Sequence, residues 1–118
     1  MTGTVPDLPH YRLTATHADG QAVLAVSGEL DLATVEEFGA SVREHLAVGP
    51  VLLDLHELSF MDSSGIRVLD GLLRDAEREN WSLVIQADLH DRVRRVLEMT
   101  GMLGMLPLRD APSPQETR

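Results

Sequence analysis

Hydrophobic residues fall along this chain in two rhythms. From His10 to Thr16 polar and apolar residues alternate, and Ala22 to Ser27 repeats the alternation with Val23, Leu24 and Val26. Asp19-Gly20 between them is a turn signal, so the two stretches predict an antiparallel hairpin, with Gly28 closing its second strand. The rhythm then lengthens. Val35, Phe38, Val42 and Leu46 recur every three or four residues, the mark of one apolar stripe on a helix. Thr34 and Glu37 stand at the spacing of a capping box before it, and Gly49-Pro50 ends it.

Val51 to Leu55 is a short apolar run that predicts a strand covered on both faces. A second helix is expected to start near Ser63 or Ser64, carry Ile66, Leu69, Leu72, Leu73 and Ala76 on one side, and end near Asn80. Gly71 inside it costs up to about 1 kcal/mol against alanine, which close packing against a neighbour would explain. Trp81 to Gln86 predicts another strand. Asp88 with Asp91 offers a box-like start to a third helix bearing Leu89, Val93, Val96 and Leu97, with Gly101 as its C-cap. Met105 to Leu108 predicts a last short strand. The order ββαβαβαβ implies an α/β sandwich with one mixed sheet.

With 118 residues the chain has the length of one domain. Residues 1–9 read as a lead-in, 10–108 as the domain and 109–118, with two prolines and no apolar stripe, as a flexible tail. No window approaches the roughly eighteen apolar residues that span a bilayer. Met1 to Pro9 has no basic residue ahead of a hydrophobic run, so no secretory leader is expected and a cytoplasmic location follows. The absence of cysteine excludes disulfides and thiolate chemistry. A formal charge of -9 repels phosphate backbones, so nucleic acid is not an expected partner. Arg92, Arg94 and Arg95, flanked by Asp91 and Glu98, read as a mixed solvated helix face. Met99, Met102 and Met105, with Leu97, Leu103 and Leu106, read as core, with a pliable docking groove as the alternative.

The most informative stretch runs from Leu53 through Phe60-Met61-Asp62-Ser63-Ser64-Gly65 to Ile66, out of a buried strand into a helix start. Backbone N–H groups at such a start lack partners and the helix dipole is positive, so a phosphate on Ser63 would be tolerated there. Such a phosphate would add about -1.5 to -2 charges to the surface that a partner meets. The plainer reading makes Asp62 or Ser63 a helix cap. Phe60 and Met61 beside it are either an exposed apolar anchor or residues buried under the loop.

Catalysis finds little footing. The Gly-x-Ser-x-Gly elbow is absent, and nothing in the sequence places His10 or His56 against Ser63 as a base. Neither dinucleotide nor nucleoside triphosphate motifs occur, the histidines lack metal-site spacing, and Asp54 has no partner carboxylates or lysine for phosphoryl acceptance. No enzyme activity, cofactor or metal is therefore expected.

Three segments, Gly28-Glu29-Leu30-Asp31, Leu58-Ser59-Phe60-Met61-Asp62-Ser63-Ser64-Gly65 and Val93 to Gly101, occur in an order that resembles the STAS domain of bacterial anti-sigma factor antagonists. The resemblance extends from about His10 to Leu108. It implies a STAS-like sandwich, with a mixed central sheet and helices mainly on one face. It also implies an antagonist that binds a serine-kinase anti-sigma factor while unphosphorylated and so releases a sigma factor for transcription, as in stress responses. By the same resemblance, the kinase phosphorylates Ser63 and weakens binding, and a serine phosphatase restores it. Asp62 would serve kinase recognition, Ser64 and Gly65 would shape the helix start, and Asp31 would line the same contact surface. Family members often carry Gly-Leu-Gly after the serine pair, whereas Gly65 here is followed by Ile66 and Arg67, a long cation on the first turns that would bear on which kinase fits. A clear amphipathic helix after Leu108 is also missing. The alternative is a constitutive STAS scaffold or transporter-associated subunit, in which the serines are caps. A small nucleotide-binding sensor ranks below both, for want of a phosphate-cradling motif.

Overall fold

The computed structural model describes residues 10–110; the lead-in at 1–9 and the tail from 111 onward lie outside them. The first two segments form the hairpin of β1 (Tyr11–Ala18) and β2 (Gln21–Leu30), joined through Asp19 and Gly20, both at positive φ as a type I′ turn requires. Next come α1 (Val35–Val48), β3 (Val51–Met61), α2 (Ser63–Glu79), β4 (Leu83–Gln86) and α3 (Asp91–Met99). A 3-10 turn at Leu103–Met105 leads to β5 (Leu108–Arg109). Met105 thus lies in the turn rather than the last strand. Arg109 belongs to the sheet rather than the tail, since its carbonyl accepts from the Ala87 N–H at 2.8 Å.

One mixed sheet runs in the order β1-β2-β3-β4-β5, antiparallel only at the hairpin. Each parallel connection steps one strand in the same direction, and right-handed crossovers then bring all three helices onto one face. The core lies between that face and the helices. Leu24, Val26, Leu53, Leu55 and Ile85 from the sheet meet Phe38, Val42, Leu46, Leu69, Leu72, Val93 and Leu97 from the helices, all sealed from solvent. β3 is accordingly covered on one face rather than two; Leu52 and Asp54, which alternate with its core residues, remain partly exposed.

β3 is also twice the length expected from its apolar run. Ala25 pairs with Asp54, but Ser27 pairs with Glu57, and Gly28 with Leu58 gives way to Glu29 with Phe60, so β3 carries an extra residue at each shift. These bulges stretch the inward spacing from two residues to three, placing Leu55, Leu58 and Met61 in the core and turning Phe60 outward. Gly28 does not close β2. It sits within the strand at φ 100°, and a Cβ there would collide with the carbonyl of His10. That contact site admits only glycine.

The helix starts differ from the capping boxes expected of them. Thr34 makes no side-chain cap to α1. Its buried hydroxyl accepts from the Asp31 N–H at 3.0 Å and donates to the Glu29 carbonyl at 2.9 Å, tying the loop to β2. α3 is capped by His90, whose Nδ1 accepts from the Arg92 N–H at 3.2 Å, while Asp88 faces His56 at 3.1 Å. Gly71 meets no tight neighbour: a Cβ there would stand 3.4 Å from the Arg43 guanidinium, an ordinary contact. α1 and α2 are tied instead by the Arg43–Asp75 ion pair at 2.7 Å. The methionines divide: Met102 is buried, whereas Met99 and Met105 project into solvent. Among the described residues no helix is long and apolar enough to cross a membrane.

Candidate functional site

The parallel pairing of β2 with β3 runs through Leu30 opposite Met61, so the loop after β2 and the start of α2 emerge side by side. Asp62 leaves β3 in an extended conformation, its N–H donating to the Leu30 carbonyl at 3.2 Å. Its carboxylate Oδ1 then accepts from the N–H groups of Ser64 at 2.8 Å and Gly65 at 3.3 Å. Asp62 is therefore the cap. Two of the amides expected to be free for a phosphate at this helix start, those of Ser64 and Gly65, are already engaged.

Gly65 is fixed by space. A Cβ at that position would lie 2.5 Å from the Met61 side chain and 3.2 Å from Leu30, so the helix approaches the strand ends as closely as it does only without a side chain. Ser63 is exposed, and among the described residues its hydroxyl makes no hydrogen bond. Ser64 is half-buried and Arg67, one turn further, is exposed.

Met61, at 2% exposure, is floor rather than anchor. It underlies two adjoining depressions, one of about 420 Å³ between the end of β3 and α3 and one of about 480 Å³ between α2 and α3, which also share Val96. Phe60, Arg92 and Arg95 edge the first. Ser63, Ile66, Arg67 and Asp70 edge the second, with Thr100 and Met102 from the far side. The two form one groove with an apolar floor and a charged rim. Of the expected contact residues, Phe60, Ser63 and Arg67 meet solvent on it, Asp62 and Ser64 are partly exposed, and Met61 and Gly65 support it from within.

Asp31 stands at the same end of the sheet, but its carboxylate turns inward on its own loop, accepting from the Ala33 N–H at 3.0 Å. Its carbonyl accepts from the N–H groups of Thr34 and Val35. Asp31 thus shapes the loop, and the residue that the loop displays is Leu32, 80% exposed. Sequence reasoning passed over Leu32 because a lone leucine in a loop belongs to no periodic stripe. The α3 wall of Arg92, Arg95 and Val96 carries the face that the sequence reads as mixed and solvated, and its place on the groove depends on the fold.

The rim is mixed in charge: Arg67, Arg92 and Arg95 stand among Asp62, Asp70 and Asp91. Asp70, the neighbour one turn from Arg67, is held by Arg74 at 2.9 Å, and Arg94 donates to the Ala87 carbonyl at 3.0 Å. Arg67, Arg92 and Arg95 form no ion pair among the described residues. No histidine hydrogen-bonds to Ser63, His56 being engaged with Asp88. No group of three or more potential ligands is placed for a metal ion among the described residues. Asp54, in the middle of β3, accepts from the His56 N–H at 3.0 Å, a structural role.

The family model for the STAS domain matches residues 12–113. The anti-sigma-B factor antagonist of Listeria monocytogenes is 34% identical over 91 residues, covering 72% of this chain and 75% of that protein. An anti-sigma factor antagonist from Mycobacterium paratuberculosis shares the fold with a TM-score of 0.72 at 24% identity, covering 90% of this chain and 89% of that one. The Bacillus cell fate determinant SpoIIAA in its phosphorylated form superposes with a TM-score of 0.62 at 24% identity, covering 91% and 95%. On the extent of the family match and the identity to the Listeria relative, the chain belongs to the STAS-domain family of anti-sigma factor antagonists, which act as regulators in partner switching rather than as enzymes.

Proposed function

We propose that this protein binds a serine-kinase anti-sigma factor through the α2–α3 groove and its rim, and that phosphorylation of Ser63 turns the binding off. The observation that carries the reading is the division of labour at the start of α2: Asp62 holds the helix, and Ser63 stands exposed beside the groove with no capping duty. Relatives such as the anti-sigma-B factor antagonist of Listeria monocytogenes support an anti-sigma factor as the partner. The kinase would transfer the terminal phosphoryl group of ATP to the Ser63 hydroxyl oxygen, with loss of the hydroxyl proton and departure of ADP. A serine phosphatase would hydrolyse the ester and return the protein to its binding form. All three proteins would meet in the cytoplasm.

In the bound state Phe60 and Leu32 would supply the exposed apolar contacts, and Arg67 would supply charge. Asp31, Asp62, Ser64, Met61 and Gly65 would act by holding these in place. A dianion at the rim adds bulk and charge where the partner packs, so contact is lost without unfolding.

The test is incubation with ATP and each anti-sigma kinase of the protein's own cell, read by intact mass and peptide mapping. One phosphate on Ser63, absent from Ser63→Ala, is the expected result. Ser63→Asp should bind the same kinase at least about tenfold more weakly, a loss of ~1.4 kcal/mol. Wild-type affinity in Ser63→Asp would remove the off-switch. No phosphorylation by any kinase would favour the constitutive scaffold or transporter-associated role.

A further inference from the structure

We infer that Arg67 is the built-in counter-ion of a phosphoryl group on Ser63, pairing with it across one turn of α2. The inference rests on Ser63 being the modified residue and adds what the chain itself does with the modification.

A phosphate at a helix start ordinarily takes the free backbone amides there. Here the Asp62 carboxylate already accepts from Ser64 and Gly65, at 2.8 and 3.3 Å. The new dianion would therefore find those donors occupied and a carboxylate next to it. Beyond the N–H of Ser63 itself, compensation of that charge falls to a side chain. Arg67 follows Ser63 by four residues, the spacing at which side chains on one helix face meet, with the acidic member first, the favourable order. Both residues line the same depression.

Arg67 is also available. It is exposed and forms no ion pair among the described residues, while Asp70, the carboxylate nearest to it along α2, is engaged by Arg74 at 2.9 Å. A guanidinium can grip two phosphate oxygens at once. The other charged groups facing the groove are Asp91, Arg92 and Arg95 on α3, which line the neighbouring depression with Phe60. In the phosphorylated protein one cation of the rim is thereby withdrawn from partners. The modification then acts twice on the surface, adding negative charge and sequestering a positive one.

The pairing is tested on the full chain with phosphoserine installed genetically at position 63, its completeness verified by intact mass. Phosphorus NMR follows the second ionisation of the phosphoserine with pH. In Arg67→Gln that ionisation should move up by about 0.15 to 0.4 pH unit relative to the unsubstituted chain, and Arg67→Lys should recover at least part of the shift. The Arg67 side-chain N–H resonance should shift on phosphorylation and return when the phosphate is titrated to its monoanion. Arg67 is exposed, so an unchanged amide spectrum is expected of both variants and verifies folding. Equal ionisation in the unsubstituted chain and Arg67→Gln would overturn the pairing, as would a shift that lysine does not recover at all. Because no kinase is used, this result is independent of whether a kinase modifies Ser63. Failure of enzymatic phosphorylation would remove the proposed switch, whereas failure here would remove only the counter-ion.

Discussion

At Asp62 one carboxylate performs a job that the adjoining serines were equally placed to do. Its Oδ1 serves two amides of α2, so Asp62→Ala should cost about 0.5 to 2 kcal/mol of stability in urea denaturation. Asp62→Asn keeps an acceptor and should lose only a small part of that. If Ser63→Ala cost as much as Asp62→Ala, the cap would be shared. The segment from Met61 to Gly65 was legible as a helix start, because Asp-Ser-Ser-Gly offers side-chain acceptors followed by a residue without a Cβ. Which of Asp62 and Ser63 caps was not legible, since both residue types serve and the choice turns on how the chain leaves β3. The roles of Gly65 and Met61 were hidden for a related reason: a Cβ at Gly65 collides with the Met61 side chain and crowds Leu30, and that meeting depends on how β2 and β3 pair.

Elements set these residues in place, and their bounds were legible where periodicity was unbroken. α1 and α2 carry the stripes read from the sequence. β3 was read as half its length because its bulges change the inward spacing from two to three, and an alternation with skipped beats looks like its end. The helix caps were misassigned where a polar residue at the right spacing had a tertiary partner instead: Thr34 reaches the Glu29 carbonyl, and Asp88 reaches His56. The tie between α1 and α2 was not legible at all. Arg43 and Arg78 hydrogen-bond to Asp75 and hold its carboxyl below the ordinary carboxylate range. A lowered value in the folded state means that the contribution is present above the unfolded value, near 3.8, and is lost as pH falls through the folded one. Denaturation of the wild type and Asp75→Asn should therefore differ at neutral pH, and the difference should shrink as pH falls below the unfolded value near 3.8. A difference that persists unchanged in acid would assign the loss to packing rather than charge.

At the scale of the whole molecule, the monotonic strand order gathers the helices on one face and brings the β2–α1 loop, the β3–α2 junction and the α3 wall to one region. The sequence indicated the mixed sheet and the family resemblance indicated its one-sided cover; the meeting of α2 and α3 over Met61 needed the fold. That meeting concentrates arginines on a chain with a formal charge of -9. Arginines free of ion pairs among the described residues, set in an acidic surface, favour partners that bring acidic side chains to those points and help orient them on approach. The double substitution Arg92→Gln with Arg95→Gln should slow association with the anti-sigma partner several-fold at low salt, about three- to tenfold, and the gap should close near 1 M salt. Stopped-flow measurement across ionic strengths reads this directly. Equal association rates at low salt would show that the rim takes no part in encounter.

Securing α2 through Asp62 also bears on how long the protein lasts. Proteases take chains that open, and opening is governed by the free energy that holds the fold together. Since that free energy does not draw on the Ser63 hydroxyl, a mark written there removes no native contact, and the half-life would change only by what the new pairing with Arg67 contributes. Marked and unmarked copies would then form one pool of constant size. The signal would be erased by a phosphatase, without the delay of synthesising new protein.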